Sequence, residues 1–398
     1  MLTRRQALTV PLLLGCGGAM LATRAGAETA PDGFIVLRAT PAGYGDVAPG
    51  PVVRARRGDE IKVRLVNALD EPTIIVWHGV RLPSAMEGAP VAPGASFDYR
   101  FTVPDAGTFW YRAAARSQQE RGLYGALIVD EPTPPPVDQD RVLVFAERRD
   151  QRNGELQFTL NGASAFDLNA RPNERLRLRF VNASATQVMN ARIDRHRVIV
   201  MALDGEPAEP FTSRDSRIAL GPGNRADVFV DATLAPGSSA PVMFMHAGGE
   251  SPLARIVCEG SPARAAPLGE PAPLAANPLP ERMNFARALR VTLPMDRGSA
   301  APPGTSRALF TTERGRTVVM AIENRDATAH SVHLHGHHFR LLDRLDDGWK
   351  PYWLDTILVD GQQTTRIAFV ADNPGRWPIE QRAVDNRPTI GAIWFQVA

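Results

Sequence analysis

One strand pattern occurs three times in this chain, and it restricts the fold more than any other feature. From Gly58 to Asn67, apolar Ile61, Val63 and Leu65 alternate with Glu60, Lys62 and Arg64. From Asn173 to Asn182, Leu176, Leu178 and Phe180 alternate with Arg175, Arg177 and Arg179. Gly315 to Asn324 is the third copy, with Val318, Met320 and Ile322 in the apolar positions. Period two is the mark of a strand with one buried face, and each copy ends in an asparagine, a turn residue. A second element follows each copy: Pro93-Gly94 leads into Phe97, Tyr99 and Phe101, Pro222-Gly223 into Ala226, Val228 and Val230, and Asp360-Gly361 into Ile367 and Phe369. A repeat on the order of 100 residues is a whole domain, not a solenoid turn. No segment carries a long helical period. The chain is therefore read as all-β, three consecutive Greek-key β-sandwiches. The borders are 28–132, 133–260 and 282–398, with a Pro/Ala-rich linker over 261–281.

Composition agrees and removes several functions. The 33 glycines and 34 prolines suit many short strands and turns. A net charge of +2 gives no bulk field for nucleic acid. Two cysteines cannot build a disulfide scaffold. One of them, Cys258, lies in the strand-like run Arg255 to Glu259 and reads as a buried core thiol.

Residues 1–27 read as an address. Thr3-Arg4-Arg5 precedes an apolar run from Ala7 to Leu21 that is broken by Gly15, Gly17 and Gly18. That run is too short and glycine-rich to span a membrane. Ala25-Gly26-Ala27 forms a small-x-small cleavage site. The paired arginines resemble a twin-arginine export signal, so the mature chain is expected in the periplasm, without a transmembrane segment. Leu13-Leu14-Gly15-Cys16 offers a minor alternative, lipid anchoring at Cys16.

Four segments carry the chemistry: Val76-Trp77-His78-Gly79; Trp110-Tyr111-Arg112-Ala113-Ala114; His330-Ser331-Val332-His333-Leu334-His335-Gly336-His337-His338; and Trp377-Pro378-Ile379-Glu380-Gln381-Arg382. With Trp353-Leu354-Asp355-Thr356, Leu203-Asp204-Gly205 and Gly221 to Val228, they resemble the multicopper oxidases, laccase-like proteins of three cupredoxin-like domains. The resemblance covers essentially the whole chain after residue 27. In that family each of the four segments supplies a His-x-His pair, and alternation on a strand puts both members of a pair on one face. The eight imidazoles surround three coppers at which oxygen is reduced. A separate blue copper, held by two histidines, a cysteine thiolate and a weak axial ligand, receives the electrons.

This sequence departs from that pattern at most ligand positions. His78 remains of the first pair, with Val76 as its partner. Arg112 and Ala114 replace the second pair. His333 and His335 keep the third. Glu380 and Arg382 replace the fourth. At the blue site His330 remains, Gln381 takes the thiolate position, Asn386 the second histidine position, and Gly391 falls near the axial one. A blue site needs a thiolate, so the resemblance implies a degenerate member: no oxidase chemistry, no catalytic residue, no cofactor, and a role as an exported scaffold or partner-binding pseudoenzyme among envelope proteins.

The alternative reading is a residual site for one copper or zinc at His78, His333, His335 and Glu380, for metal storage, delivery or weak redox chemistry. Arg112 and Arg382 oppose it. A dication about 5 Å from one guanidinium is repelled by roughly 6 to 7 kcal/mol at an effective dielectric near 20. The competing arrangement pairs Glu380 with an arginine. Spacing also puts His337 on the face of His333 and His335, and turns His338 away, solvated or packed. His196 reads as structural. His246 has no motif around it. Glu87 is expected to orient water or pair with an arginine. Arg112, Arg116 and Arg121, with Gln118 and Gln119, read as a basic rim or a solvated surface.

Overall fold

The computed structural model describes residues 28–149, 156–246, 249–280, 282–295, 308–342, 349–385 and 393–398. The export signal, Cys16, Asn386, Gly391 and the side chain of His246 lie outside the described residues.

Each copy of the repeat becomes the same strand in its own sandwich. Glu60–Asn67 runs parallel to Ile35–Thr40 and antiparallel to Ser96–Thr102. Arg175–Asn182 stands likewise between Gln139–Arg149 and Arg225–Asp231. Arg316–Asn324 does so between Leu289–Met295 and Thr364–Ala371. The closing asparagine has one job in all three. Asn67 Nδ2 donates to the carbonyls of Glu71 and Val91 at 2.9 and 2.8 Å, while Oδ1 accepts from the Leu69 amide. Asn182 does this with Gln187, Leu220 and Ser184, and Asn324 with Thr328, Val359 and Asp326. The side chain thus clips the loop after the strand to a facing segment, satisfying carbonyls that would otherwise be buried unpaired.

A second sheet closes each sandwich. Ile75–His78, Gly107–Ala113, Tyr124–Asp130 and Val53–Arg56 form it in the first. Asp167–Ala170, Gly249–Cys258, Ser238–His246, Met189–Ile193 and Arg217–Leu220 form it in the second. Thr356–Val359, His330–Leu334, Gly375–Ala383, Ile393–Val397 and Thr311–Thr312 form it in the third. Three apolar cores follow, one per sandwich, around Trp77 and Tyr111, around Phe145 and Phe244, and around Trp377 and Phe395. Cys258 is buried in the second, as expected.

The middle copy differs from the half-buried strand its alternation predicts. Arg175, Arg177 and Arg179 are all buried. Arg177 bridges Glu131 and Asp227, Arg179 reaches Asp140 and the Thr108 hydroxyl, and Arg175 pairs with Asp231. The outer face of this strand is covered by the first sandwich through Thr108 and by the carbonyls of Leu268 and Gly269. Buried arginines persist there because each has carboxylates and further acceptors at hydrogen-bond distance.

The segment read as a linker contains no strand among its described residues, yet it is docked rather than free. Leu274 packs with Met201 and Phe229, and Asn277 bonds both the amide and the carbonyl of Ala106. Arg225 of the second sandwich holds Asp355 of the third with two bonds at 2.8 and 2.6 Å. Arg81 of the first reaches Asp372 of the third. Among the described residues no helix is long and apolar enough to cross a membrane.

Candidate functional site

The three sandwiches meet around a cavity lined by His78, Trp110 and Arg112 of the first, Ser184 and Gly223 of the second, and Ser331, His333, Glu380 and Arg382 of the third. The space open to the centre of a water-sized sphere is about 10 Å³, room for about one water. Strand register puts these groups together. Glu380 lies directly across from His333, and Trp110 across from His78. Arg112 is two residues beyond Trp110 and so shares its face. Gly223, at φ +91°, brings backbone against His78; a Cβ there would lie 2.8 Å from the ring.

Two histidines are neutral and stacked. The His78 and His333 rings lie 3.6 Å apart, tilted by 15°. His78 Nε2 contacts the Thr356 hydroxyl at 2.8 Å, and His333 Nδ1 lies 3.1 Å from both that hydroxyl and the Asp355 carbonyl. Burial holds His333 down at about 4, and burial with the neighbouring His333 holds His78 well below the usual imidazole range.

His335 is different. Its Nδ1 lies 3.0 Å from Glu87 and its Nε2 3.7 Å from Glu380. Burial alone would lower its pKa, but the two carboxylates outweigh it and raise it to about 9. At neutral pH the ring is an imidazolium, a donor on both nitrogens.

Glu380 is held by two guanidiniums. Arg112 Nη2 donates to Oε2, and Arg382 Nε donates to Oε1 at 2.7 Å. Against the cost of burial, Arg112 and Arg382 keep this carboxyl well below its ordinary range. Burial and the charge of Arg382 push Arg112 down to about 10. Arg382 also donates to the Gln119 side chain at 2.5 Å, and Gln119 in turn to the Ala183 carbonyl. One charged chain therefore crosses the cavity wall, from Glu87 through His335, Glu380, Arg112 and Arg382 to Gln119.

Several expectations change. His337 does not share a face with His333 and His335. The strand ends at Leu334, Gly336 takes φ +68° with its Cα against Trp377, and His337 turns into the third core beside Phe369 and Phe395. Glu87 pairs with His335, not with an arginine, because its short helix Ser84–Glu87 abuts the strand of Glu380. The arginine run is no common rim. Arg112 is buried in the cavity, Arg116 pairs with Glu120, and Arg121 is exposed and pairs with Glu71. Gln118 and Gln119 are buried. His338 is packed, and His196 is buried with Nδ1 on the Asp194 carbonyl, as its structural reading required.

At the blue-copper positions, His330 Nε2 lies 3.5 Å from Asp326. Gln381 is fully buried across from Val332, and its amide finds no hydrogen-bond partner among the described residues. Ser184 was not legible as a site residue, since nothing in its local sequence marks it; Gly223 and Gln119 lie in segments that the sequence does single out, but nothing there marks either as part of the cavity.

A triple β-sandwich with an intact His-x-His pair at the junction of all three units is the architecture of the three-domain cupredoxin-like oxidases. Family models described as multicopper oxidase match residues 36–134, 108–248 and 277–380. The chain belongs to the multicopper oxidase family. The solved multi-copper oxidase from Pseudomonas thermotolerans is 31% identical, covers 89% of this chain and 93% of its own, and superposes with a TM-score of 0.78. That from Pseudomonas parafulva is 26% identical over 92% and 100%, with a TM-score of 0.80. Multicopper oxidase MmcO of Mycobacterium tuberculosis is 29% identical over 84% of this chain and 78% of its own length. Copper resistance protein A of Escherichia coli is 28% identical, but the chain spans only about half, 48%, of that protein.

The donor set can be compared with a copper cluster. Val76 and Ala114 carry no lone pair, and guanidiniums such as Arg112 and Arg382 donate only. Three imidazoles remain, one of them a cation between two carboxylates.

Proposed function

We propose that this chain is a multicopper-oxidase-fold protein without oxidase chemistry, in which an ion-paired network takes the volume that copper ligands fill in the family. The observation that carries this reading is Glu380 clasped between Arg112 and Arg382 in a cavity with room for about one water. Two guanidiniums beside the remaining imidazoles oppose a cation cluster, and Gln381 supplies no thiolate for electron entry. On this reading the protein works through its surface, as a scaffold or partner-binding protein of the cell envelope, and holds no cofactor. The paired arginines Arg4 and Arg5 support periplasmic delivery by the twin-arginine route. The domain borders 28–132, 133–260 and 282–398 are supported by every strand of each sandwich falling within one of them. Reconstitution with Cu(II), followed by oxygen-uptake and absorption measurements, tests the proposal.

A second reading keeps one copper or zinc at His78, His333, His335 and Glu380. It is favoured by the 3.7 Å between His335 Nε2 and Glu380, longer than a hydrogen bond. It requires Arg112 and Arg382 to release Glu380 and His335 to lose its proton.

A further inference from the structure

Behind that cavity, joined to it through Asp355, which also lies 3.3 Å from His333, three buried side chains converge, one from each sandwich: Asp105, Glu206 and His338. We propose that they form a binding site for one divalent metal ion of the zinc type, which clamps the three sandwiches together.

The distances suit coordination better than hydrogen bonding. His338 Nδ1 lies 3.4 Å from Glu206 Oε1, and His338 Nε2 lies 3.5 Å from Asp355 Oδ2. Neither ring nitrogen, nor Glu206 Oε1, makes a hydrogen bond, although the His338 side chain is fully buried. A buried imidazole left in that state is costly. Two ligands each about 2.0–2.1 Å from a tetrahedral ion lie roughly 3.3–3.4 Å apart, which is the spacing of His338 Nδ1 and Glu206 Oε1. A ligand atom of Asp105 lies within 4.8 Å of both.

The surrounding groups already aim the donors. Arg81 holds both Asp105 oxygens, at 2.7 and 2.8 Å, and leaves each with a further lone pair. Asn277 donates to Glu206 Oε2 at 3.0 Å and is itself fixed on Ala106, so Oε1 is the oxygen left over. With Nδ1 on the ion, Nε2–H of His338 would face Asp355, which Arg225 fixes, the carboxylate–histidine arrangement usual behind metal-bound imidazoles. A water would complete a site with three protein ligands.

Charge points the same way. Four buried carboxylates, Asp105, Asp204, Glu206 and Asp355, face two guanidiniums, Arg81 and Arg225, and Arg81 also serves Asp372 at the rim. With Nδ1 on an ion, and His338 therefore neutral, the four carboxylates exceed the two guanidiniums by two charges, which a dication supplies; without an ion, against the cost of burial, Glu206 and Asp355 raise the His338 pKa instead.

The test uses the whole exported chain, stripped with a chelator and then dialysed against Zn(II). One tightly held equivalent and a raised melting temperature are expected. Both should be lost in His338→Gln and Glu206→Gln and kept in His335→Gln, whose ring contacts Glu87 and Glu380 rather than this cluster. If His338→Gln does not fold, Glu206→Gln decides. No bound equivalent in the wild type, binding that survives both substitutions, or binding lost in His335→Gln would overturn the proposal.

Discussion

Arg112 of the first sandwich and Glu380 of the third lie 268 residues apart in sequence and share a hydrogen-bonded ion pair inside the wall of the inter-sandwich cavity. The pair crosses a domain junction, and Arg382 closes it from the other side. Its stability value lies less in its own attraction than in the cost of leaving either partner buried alone.

Replacing Glu380 by alanine leaves Arg112 without a carboxylate partner. The substitution should lower the unfolding free energy by about 3–5 kcal/mol, the magnitude for stranding a buried charge. Metal content should not change. Denaturant melts with elemental analysis of both proteins check this. If Glu380→Ala and His335→Ala each lose a metal that the wild type holds, the single-metal reading is the correct one.

The charge on His335 makes stability depend on pH with a definite sign. Its folded pKa, about 9, lies above the unfolded value near 6.5. The contribution is therefore complete below about pH 6.5 and is lost as pH rises through about 9, amounting to about 3 kcal/mol by linkage. Glu380 and Glu87 have lowered pKa values, so their contribution is present above the carboxylate range and lost on acidification. His78 and His333, held below their unfolded values, also remove stability as pH falls below about 6.5, so stability should be greatest at about pH 6.5 and fall on both sides. In His335→Gln the alkaline fall should flatten; an unchanged alkaline limb would remove His335 from the network.

The loop-clipping asparagines should matter equally in all three sandwiches. Asn67→Ala, Asn182→Ala and Asn324→Ala each leave two or more carbonyls unserved and should each cost about 1–3 kcal/mol. Urea melts of the three variants compare them directly. A neutral result at any one position would show that its loop is held by other contacts.

The repeat was legible because each copy obeys one local rule, alternation followed by a turn residue, that holds whatever the partner strand is. Ligand positions could be read off the same strands. What lay beyond sequence was set between domains. The alternation of Arg175 to Arg179 predicted a wet face, and only the neighbouring sandwich makes it dry. His337 fell off the expected face because of one turn at Gly336. The meeting of Asp105, Glu206 and His338 has no local signature, since each comes from a different sandwich.

Export is tested by changing both Arg4 and Arg5 to lysine. The precursor should then accumulate in the cytoplasm, because twin-arginine recognition reads the arginine pair itself. Fractionation followed by immunoblotting measures this. Mature protein reaching the periplasm at the wild-type level would show that another route carries it.

The most direct test of the central claim is oxygen uptake by the purified chain after incubation with Cu(II) and removal of free metal, with a phenol as electron donor and the absorption spectrum recorded on the same sample. The account predicts no uptake above that of the buffer and no intense blue thiolate band, because Gln381 offers no sulfur and Arg112 and Arg382 hold the cavity with Glu380. Sustained phenol-dependent oxygen reduction, or a blue chromophore that survives metal removal, would contradict it.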